Sequence, residues 1–425
     1  MRRMRKLWTK AGVLGSVSMA FGSMLWVKKK TQQTHTDSGT APASVESPSP
    51  YELKLVQVLF RHGARTPLKS IPDIMEVQWV PNLLEPPACT QINYVVTDLE
   101  GGPRPSSPVE DSYRANTLTG GTYPGQLTTV GMQQLYELGE RLRKRYIQDT
   151  AFLKPSFSPK EVYVRSTNIV RTIESAKCLV AGLFQQSQKD IVPIVTAKAV
   201  SEILYPNYHG CRLLRLLGSH RWAESSTLPD IAADLKGILR ALGISSDQRV
   251  DFILIRDDMV ARKAHGLACP PILDTWRNTV EQRAVEMLCH IYEPSKRENL
   301  QLCVGPLLHT LMSNIEDKLE GLEPRRKLFL YSAHDTTLIP CLMALGIFDM
   351  QWPPYAADIT LELYQHRHTK EAFVKVSYIG QDQLITGCSG VYCPLQEFKK
   401  TLSTYSMTSE LYESLCNSTE GVADQ

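Results

Sequence analysis

The sequence predicts an α/β fold in which a mostly parallel sheet is wound with helices on both faces. Three short apolar runs, at residues 53–60, 162–165 and 327–331, have the length and composition of buried strands. Helical periodicity at residues 130–147 and 169–184 lies between the first and third runs. Each run ends in a polar cluster, so we expect three neighbouring strands to deliver polar side chains to one edge of the sheet.

The first cluster is the most informative, because it places His62 between Arg61 and Arg65 on a turn that contains Gly63. Guanidinium groups match the oxygens of a phosphate, and an imidazole held among them is well placed to attack phosphorus. The cluster therefore predicts a phosphate site with His62 as the nucleophile. The alternative is a basic surface turn with an unrelated histidine.

The other two runs end in groups that suit the same chemistry. His334 and Asp335 follow the third run, where Asp335 could transfer a proton and His334 could donate to an anion. Asp335 also suits the start of a helix, and the two roles are compatible because helix N-termini favour phosphate. Arg165 and Arg171 follow the second run and would either add positive charge to the pocket or be solvated.

Together these motifs resemble those of the histidine acid phosphatase branch of the histidine phosphatase superfamily. The matching stretches are Arg61-His62-Gly63-x-Arg65-x-Pro67, Arg165-Ser166-Thr167 with Arg171, and His334-Asp335, and the resemblance spans about residues 51–400. Ala64 departs from the family, in which many members carry an acidic residue there, so the pH optimum or substrate preference can differ.

The resemblance implies a phosphoglycerate-mutase-like sheet domain with an inserted helical cap, and phosphomonoesterase activity without metal or cofactor. It makes His62 and Asp335 catalytic, with Arg61, Arg65, Arg171 and His334 holding the phosphate. Three alternatives remain in view. The first is a metal site, which the nearby arginines disfavour because they would repel a cation. The second is a phosphoryl-transferring mutase, but mutases usually use a glutamate as proton donor and this chain has His334-Asp335. The third is a binding protein without turnover, which would not need His62 together with Asp335.

Within that branch, residues 77–84, 120–126, 203–208 and 345–349 resemble the lysophosphatidic acid phosphatases. This implies hydrolysis of lysophosphatidic acid to monoacylglycerol and phosphate through a phosphohistidine, and a lysophospholipid as the binding partner. The alternative is a broad acid phosphatase that acts on protein or small phosphomonoesters. A lipid substrate needs an apolar groove. Residues 72–125 and the helical cap could supply it, and the candidate wall residues are Trp79, Leu83, Leu84 and Tyr94.

We expect a catalytic domain from residues 51–194 and 326–425, interrupted by a helical cap at residues 195–325. Helical periodicity within the cap appears at residues 231–242, 276–292 and 300–319. We expect residues 72–125 to form a structured excursion over the mouth of the site. Alternation at residues 359–365 and 373–379 predicts an antiparallel hairpin at the sheet edge, and residues 395–405 predict a last helix.

Residues 1–50 predict an N-terminal targeting segment and a flexible linker. Residues 1–30 hold eight Lys and Arg and no acid, with an apolar stretch at 11–27. This pattern and the resemblance favour a mitochondrial transit peptide, and the alternatives are a secretory signal or a membrane anchor. Without those eight cations, 39 basic residues face 44 acidic ones, a net charge of −5. The body is therefore not expected to bind nucleic acid, and we expect a monomer with a peripheral membrane contact through its N-terminus.

Ten cysteines occur without a Cys-x-x-Cys motif, which disfavours a zinc ribbon. Cys388 and Cys393 flank a loop that contains Gly390, and they are the best candidates for a disulfide. Cys178 lies in a helical apolar pattern and is expected to be a buried hydrophobic residue.

Overall fold

The computed structural model describes residues 49–185, 190–245, 247–292 and 297–417. The expected targeting segment and its apolar stretch at residues 11–27 therefore lie outside the described residues, as does most of the linker. Among the residues that are described, no helix is both long and apolar enough to cross a membrane.

The described strands form one nine-stranded sheet with the order β2-β4-β3-β5-β1-β6-β7-β8, and β9 pairs with β7. The strands are β1 (Tyr51–Arg61), β2 (Tyr94–Thr97), β3 (Val162–Ser166), β4 (Val192–Val195), β5 (Leu328–Ala333), β6 (Asp358–His366), β7 (Ala372–Tyr378), β8 (Gln381–Gln383) and β9 (Cys393–Pro394). The five strands from β2 to β1 are parallel neighbours, and β6 to β9 are antiparallel. The α/β class and the antiparallel hairpin, here β6 and β7, are confirmed.

Helices cover both faces of the sheet. They are α1 (Pro108–Arg114), α2 (Thr129–Arg143), α3 (Val170–Phe184), α4 (Arg212–Ser225), α5 (Pro229–Leu242), α6 (Phe252–Ala264), α7 (Ile272–Tyr292), α8 (Arg297–Glu320), α9 (Asp335–Ala344), α10 (Leu395–Ser403) and α11 (Ser409–Asn417). On β1, Val56 and Val58 pack with α2 and α3, whereas Leu55 and Leu59 pack with α8 and α9. This alternation follows from the two-residue period of a strand, and it produces the doubly wound arrangement.

Helices α4 to α8 lie between β4 and β5, where the sequence predicts the helical cap. Helices α5, α7 and α8 agree with the predicted periodicity at residues 231–242, 276–292 and 300–319. Helices α4 and α6 were not predicted. The described chain from Ser49 onward forms one compact unit with the sheet, so the boundary of a separate cap domain stays a prediction.

The C-terminal part differs in one respect from the sequence prediction. The helix predicted as the last one corresponds to α10, but α11 follows it. A disulfide between Cys211 and Cys416 links α11 to the residue before α4, and no sequence pattern indicated it. The predicted disulfide between Cys388 and Cys393 and the burial of Cys178 are confirmed.

The loop after β1 packs directly against the first turn of α2 at two glycines. A Cβ atom on Gly63 would lie 2.2 Å from the carbonyl oxygen of Gly131, and a Cβ on Gly131 would lie 2.1 Å from that of Ala64. The Thr128 hydroxyl caps α2 by accepting from the Gly131 amide at 3.3 Å. Because only glycine permits such a close contact between the two backbones, Gly63 and Gly131 fix the position of the loop that follows β1.

We predict that Gly131→Ala lowers the free energy of unfolding by about 1–3 kcal/mol, because the methyl group must displace backbone. It should also lower kcat/KM, because the displaced backbone adjoins His62. Urea denaturation and turnover of p-nitrophenyl phosphate measure both effects. Gly390→Ala is the matched control, since a Cβ there meets nothing within 4 Å. A Gly131→Ala protein as stable and active as the control would contradict this account.

Candidate active site

The ends of three adjacent parallel strands bring the predicted residues together. His62 follows β1, His334 and Asp335 follow β5, and Arg171 lies in the first turn of α3, which follows β3. Because the strand order is β3-β5-β1, these positions are neighbours at one edge of the sheet. The ring centroids of His62 and His334 are 5.5 Å apart. The predicted convergence of these side chains is present in the structure, and their catalytic roles stay predictions.

The imidazole of His62 is held in one orientation and one tautomer. Its backbone amide donates to the Ala333 carbonyl at 3.0 Å, and its carbonyl accepts from the Ala356 amide. Nδ1 lies 2.9 Å from the carbonyl oxygen of Gly63. A carbonyl only accepts, so Nδ1 must carry the proton and Nε2 must present a lone pair. This is the tautomer that a nucleophile acting through Nε2 requires.

Three buried arginines near His62 have N–H donors without an acceptor. Within the described residues, Nε of Arg61, Nε of Arg65, and both Nε and Nη1 of Arg171 have no hydrogen-bond partner. Each arginine is at most 5% exposed, so solvent does not satisfy these donors. Buried donors are normally paired, so this concentration of unpaired guanidinium N–H groups indicates a site built for an oxyanion.

The remaining donors of these arginines fix where the guanidiniums lie. Arg61 donates to the Pro353 carbonyl at 2.6 Å and stacks on the ring of Tyr355, 4.4 Å from its centroid. Arg65 donates to Asp257 at 2.7 Å, and the other oxygen of that carboxylate accepts from the Leu68 amide. Asp257 thus ties Arg65 to α6. No motif in the sequence pointed to Asp257, because it is one of two consecutive aspartates in that helix.

Asp335 is half-buried and pairs with Arg61, an arrangement that favours its ionised form. Its Oδ2 lies 2.7 Å from Nη2 of Arg61 and accepts from Nε1 of Trp352 at 3.0 Å, and its Oδ1 accepts from the Thr336 amide. Burial raises the pKa of Asp335, but the guanidiniums of Arg61 and Arg65 outweigh it and hold that pKa well below its usual range. A bound phosphate dianion would offset the guanidinium charge and make protonation of Asp335 easier.

His334 is positioned by two threonines that the sequence analysis did not single out. Its Nε2 is 3.0 Å from Oγ1 of Thr167, which is 2.6 Å from Oγ1 of Thr172. The Thr172 hydroxyl has the carbonyl oxygen of Ile169 at 2.8 Å. Every group is satisfied if Nε2–H of His334 donates to the Thr167 hydroxyl, which donates to the Thr172 hydroxyl, which in turn donates to the Ile169 carbonyl. His334 then presents Nδ1 as its remaining ring nitrogen and donates from it only when protonated.

Arg165 does not join the pocket, contrary to one of the two expectations for it. It is buried, bonds the Ser166 carbonyl, and donates from Nη2 to Oε1 of Glu202 at 2.8 Å. It is also not solvated, which was the other expectation. A buried charge needs a partner, and Glu202 supplies it, so Arg165 anchors the chain that enters the helical region.

A largely apolar cavity of about 640 Å³ opens from His62, Arg171 and Asp335. Its apolar and aromatic lining includes Tyr205, Tyr208, Trp222, Leu288, Ile291 and Tyr292. The wall residues suggested by the sequence, Trp79, Leu83, Leu84 and Tyr94, do not line it. Trp79 packs on His265, and Tyr94 bonds Glu174. From residues 72–125, Val109 and Tyr113 reach the cavity, and most of its wall comes from the 205–222 segment and α7.

The described residues contain no cluster of three or more His, Cys, Asp and Glu side chains arranged to hold a metal ion. The charge that would neutralise a phosphate comes instead from Arg61, Arg65 and Arg171.

Comparisons with known proteins agree with this geometry. Residues 52–227 and 261–379 match the model of the histidine phosphatase superfamily, branch 2. The chain is similar to human lysophosphatidic acid phosphatase type 6, with 46% identity over 98% of this chain and 96% of that protein. The bovine protein of the same name is 48% identical over 86% of each chain. The apo phytase of Hafnia alvei shares the fold, with a TM-score of 0.55, 16% identity and coverage of 87% of this chain and 99% of that one.

We predict that Asp257→Asn weakens phosphate binding roughly tenfold, because an amide presents one acceptor where the carboxylate presents two. The inhibition constant of inorganic phosphate measures the effect. Asp274→Asn is a matched control, since Asp274 pairs with the exposed Arg277. Equal inhibition constants for the two variants would show that Asp257 does not position Arg65.

We predict that kcat/KM shows no acid limb near pH 6.5. Burial and the neighbouring Arg171, Arg61 and Arg65 hold the pKa of His62 well below its usual range. A lowered pKa keeps the imidazole neutral as the pH falls, and the nucleophile is lost only below that depressed value. Arg171→Gln should move the acid limb upward. A limb centred near pH 6.5 in the unmodified enzyme would contradict the environment described for His62.

Proposed function

We propose that this chain, which belongs to branch 2 of the histidine phosphatase superfamily and is a phosphomonoesterase, hydrolyses lysophosphatidic acid to monoacylglycerol and phosphate. The observation that carries the proposal is the continuity of the unpaired guanidinium donors of Arg65 and Arg171 with the apolar cavity. A lysophosphatidic acid has one phosphate and one acyl chain, and the site offers one environment for each. The names of the relatives at 46–48% identity support the same substrate.

In the first step, Nε2 of His62 attacks the phosphorus of the monoester. A nitrogen–phosphorus bond forms, and the bond from phosphorus to the glycerol oxygen breaks. The unpaired donors of Arg61, Arg65 and Arg171 bind the non-bridging oxygens and stabilise their charge in the transition state. Asp335, protonated once the phosphate offsets its guanidinium neighbours, transfers its proton to the departing glycerol oxygen.

In the second step, water replaces His62 on phosphorus. The Asp335 carboxylate accepts a proton from the water, an oxygen–phosphorus bond forms, and the nitrogen–phosphorus bond breaks. Inorganic phosphate leaves with the imidazole restored. Nδ1 of His62 donates to the Gly63 carbonyl throughout, so Nε2 remains the bonding nitrogen. Burial and Arg171 hold the pKa of His334 well below its usual range in the free enzyme, so His334 would donate from Nδ1 to the same anion only once the bound phosphate favours its protonation.

We also propose a mitochondrial location and a monomeric state. The support for the location is the acid-free segment of residues 1–30 with its eight cations.

The test of the substrate is an acyl-chain series of lysophosphatidic acids against p-nitrophenyl phosphate. We expect kcat/KM to rise by up to about fourfold for each added methylene until the cavity is filled, because each buried methylene contributes about 0.8 kcal/mol. If chain length has no effect, and p-nitrophenyl phosphate is used equally well, the enzyme is a broad acid phosphatase and the lipid assignment is wrong.

The test of the chemistry uses two substitutions. His62→Ala should lower kcat by about 10⁴-fold or more, and Asp335→Asn by about 10²–10⁴-fold. With an activated leaving group, Asp335→Asn should accumulate a phosphoenzyme that mass spectrometry locates on His62. His368→Ala, at an exposed histidine in the β6–β7 turn, is the control. Retention of normal turnover by His62→Ala would refute the mechanism.

A further inference from the structure

We propose that the exposed face of α4 docks on a bilayer that contains anionic phospholipid, so that the mouth of the cavity opens onto the membrane. This inference rests on the proposed function, since it explains how a lipid substrate reaches the site. It concerns a surface of the folded body and is independent of the N-terminal segment.

The location of the cavity mouth follows from its lining. Residues that both line the cavity and are exposed mark the opening. All five of them lie between positions 208 and 222, and they are Tyr208, His209, Arg215, Ser219 and Trp222. The lining residues from α1, α3, α7 and the strand ends are buried or half-buried. Judged from the residues that the structure describes, the cavity therefore opens at α4 and at the turn that precedes it.

The charge of this rim is opposite to that of the rest of the body. Residues 203–223 contain three arginines and two histidines, and no Asp or Glu. Arg212 and Arg215 are both exposed, one turn apart. The first acid after them is Glu224, which pairs with His220, with His290 and with the buried Arg221, so Arg212 and Arg215 carry the exposed positive charge. On a body with a net charge of −5 outside residues 1–30, a basic rim is complementary to anionic lipid headgroups.

The same face of α4 also exposes apolar side chains. Leu216 is 39% exposed and Trp222 is 42% exposed, although both are residues that usually bury their surface. They lie with Arg212 and Arg215 at helical spacing, on the side away from the buried Leu213 and Leu214. Tryptophan, leucine and arginine on one face of a helix are typical of elements that lie in a membrane interface.

The substrate chemistry favours a bilayer over a protein as the partner. A single-chain phospholipid of the proposed kind partitions into membranes, and its acyl chain would otherwise have to cross water to reach the cavity. With α4 on the membrane, Trp222 and Tyr208 would border both the lipid and the apolar wall. The chain would then remain in apolar surroundings as the phosphate advances to the arginines.

The variant for the test is Arg212→Glu with Leu216→Asp. Both side chains are exposed, and neither lines the cavity. The matched control is Arg325→Glu with Leu322→Asp, which makes the same changes on an exposed turn between α8 and β5. That turn lies before the first residue of β5, whereas His334 and Asp335 of the site follow its last residue. The control substitutions therefore lie at the opposite end of the sheet from the site. The full-length chain is used throughout, so all proteins share the same N-terminus.

The first measurement is co-sedimentation with substrate-free vesicles of phosphatidylcholine and phosphatidylserine. We expect the α4 variant to bind at least about fivefold more weakly, because each basic residue near an anionic surface contributes roughly that factor. The control should bind as the unmodified protein does. Binding of the α4 variant that equals the control overturns the proposal, whatever the substrate is, and a partner protein at this face would give that result.

The second measurement compares turnover of lysophosphatidic acid in the same vesicles with turnover of p-nitrophenyl phosphate. The α4 variant should lose at least about fivefold on vesicles and nothing on the soluble ester, which also shows that it is folded. An equal loss in the control, or no loss in the α4 variant, overturns the docking proposal. If no protein hydrolyses lysophosphatidic acid, the proposed function fails, and the sedimentation result still decides on docking.

Discussion

The site depends on positive charge that the protein leaves uncompensated around a neutral imidazole. Arg61, Arg65 and Arg171 are buried, and four of their nitrogen donors have no partner among the residues that the structure describes. Two carboxylates, Asp335 and Asp257, offset part of that charge. A phosphate dianion supplies the missing acceptors and the missing negative charge together. Burial and the same positive charge together hold the pKa of His62 well below its usual range. The charge that would bind a phosphate therefore also favours the neutral imidazole that the proposed mechanism requires.

Such a cluster is costly to assemble, and the sheet makes it possible. The carboxyl ends of β1, β3 and β5 are adjacent. The segments that follow these strands therefore bring His62, Arg171 and Asp335 together, and α6 adds Asp257. Helices α3 and α9 begin at the same edge, and their N-termini also favour an anion. The contact between Gly63 and Gly131 packs the loop after β1 against the first turn of α2. Contacts of the backbone therefore fix the position of His62, and side-chain contacts add to them.

The predictable part of this protein is local. The strand-to-cluster pattern identifies β1, β3 and β5, and the motif chemistry identifies His62 and His334, because both signals lie within a few consecutive residues. The helical cap was expected to contribute to the apolar groove, and most of the wall does come from it. Asp257 and the individual wall residues were missed, because their positions at the site depend on contacts between residues far apart in the sequence. Arg165 shows the same limit, since only its burial beside Glu202 separates it from the pocket arginines.

The most direct test of the account is a crystal structure of the enzyme with orthovanadate, which mimics a phosphorus centre during transfer. We predict a bond from vanadium to Nε2 of His62, with Nδ1 still on the Gly63 carbonyl. The vanadate oxygens should accept from Nε of Arg65 and from Nε and Nη1 of Arg171. Vanadate bound away from His62, or vanadate that leaves those guanidinium donors unpaired, would contradict the central claim.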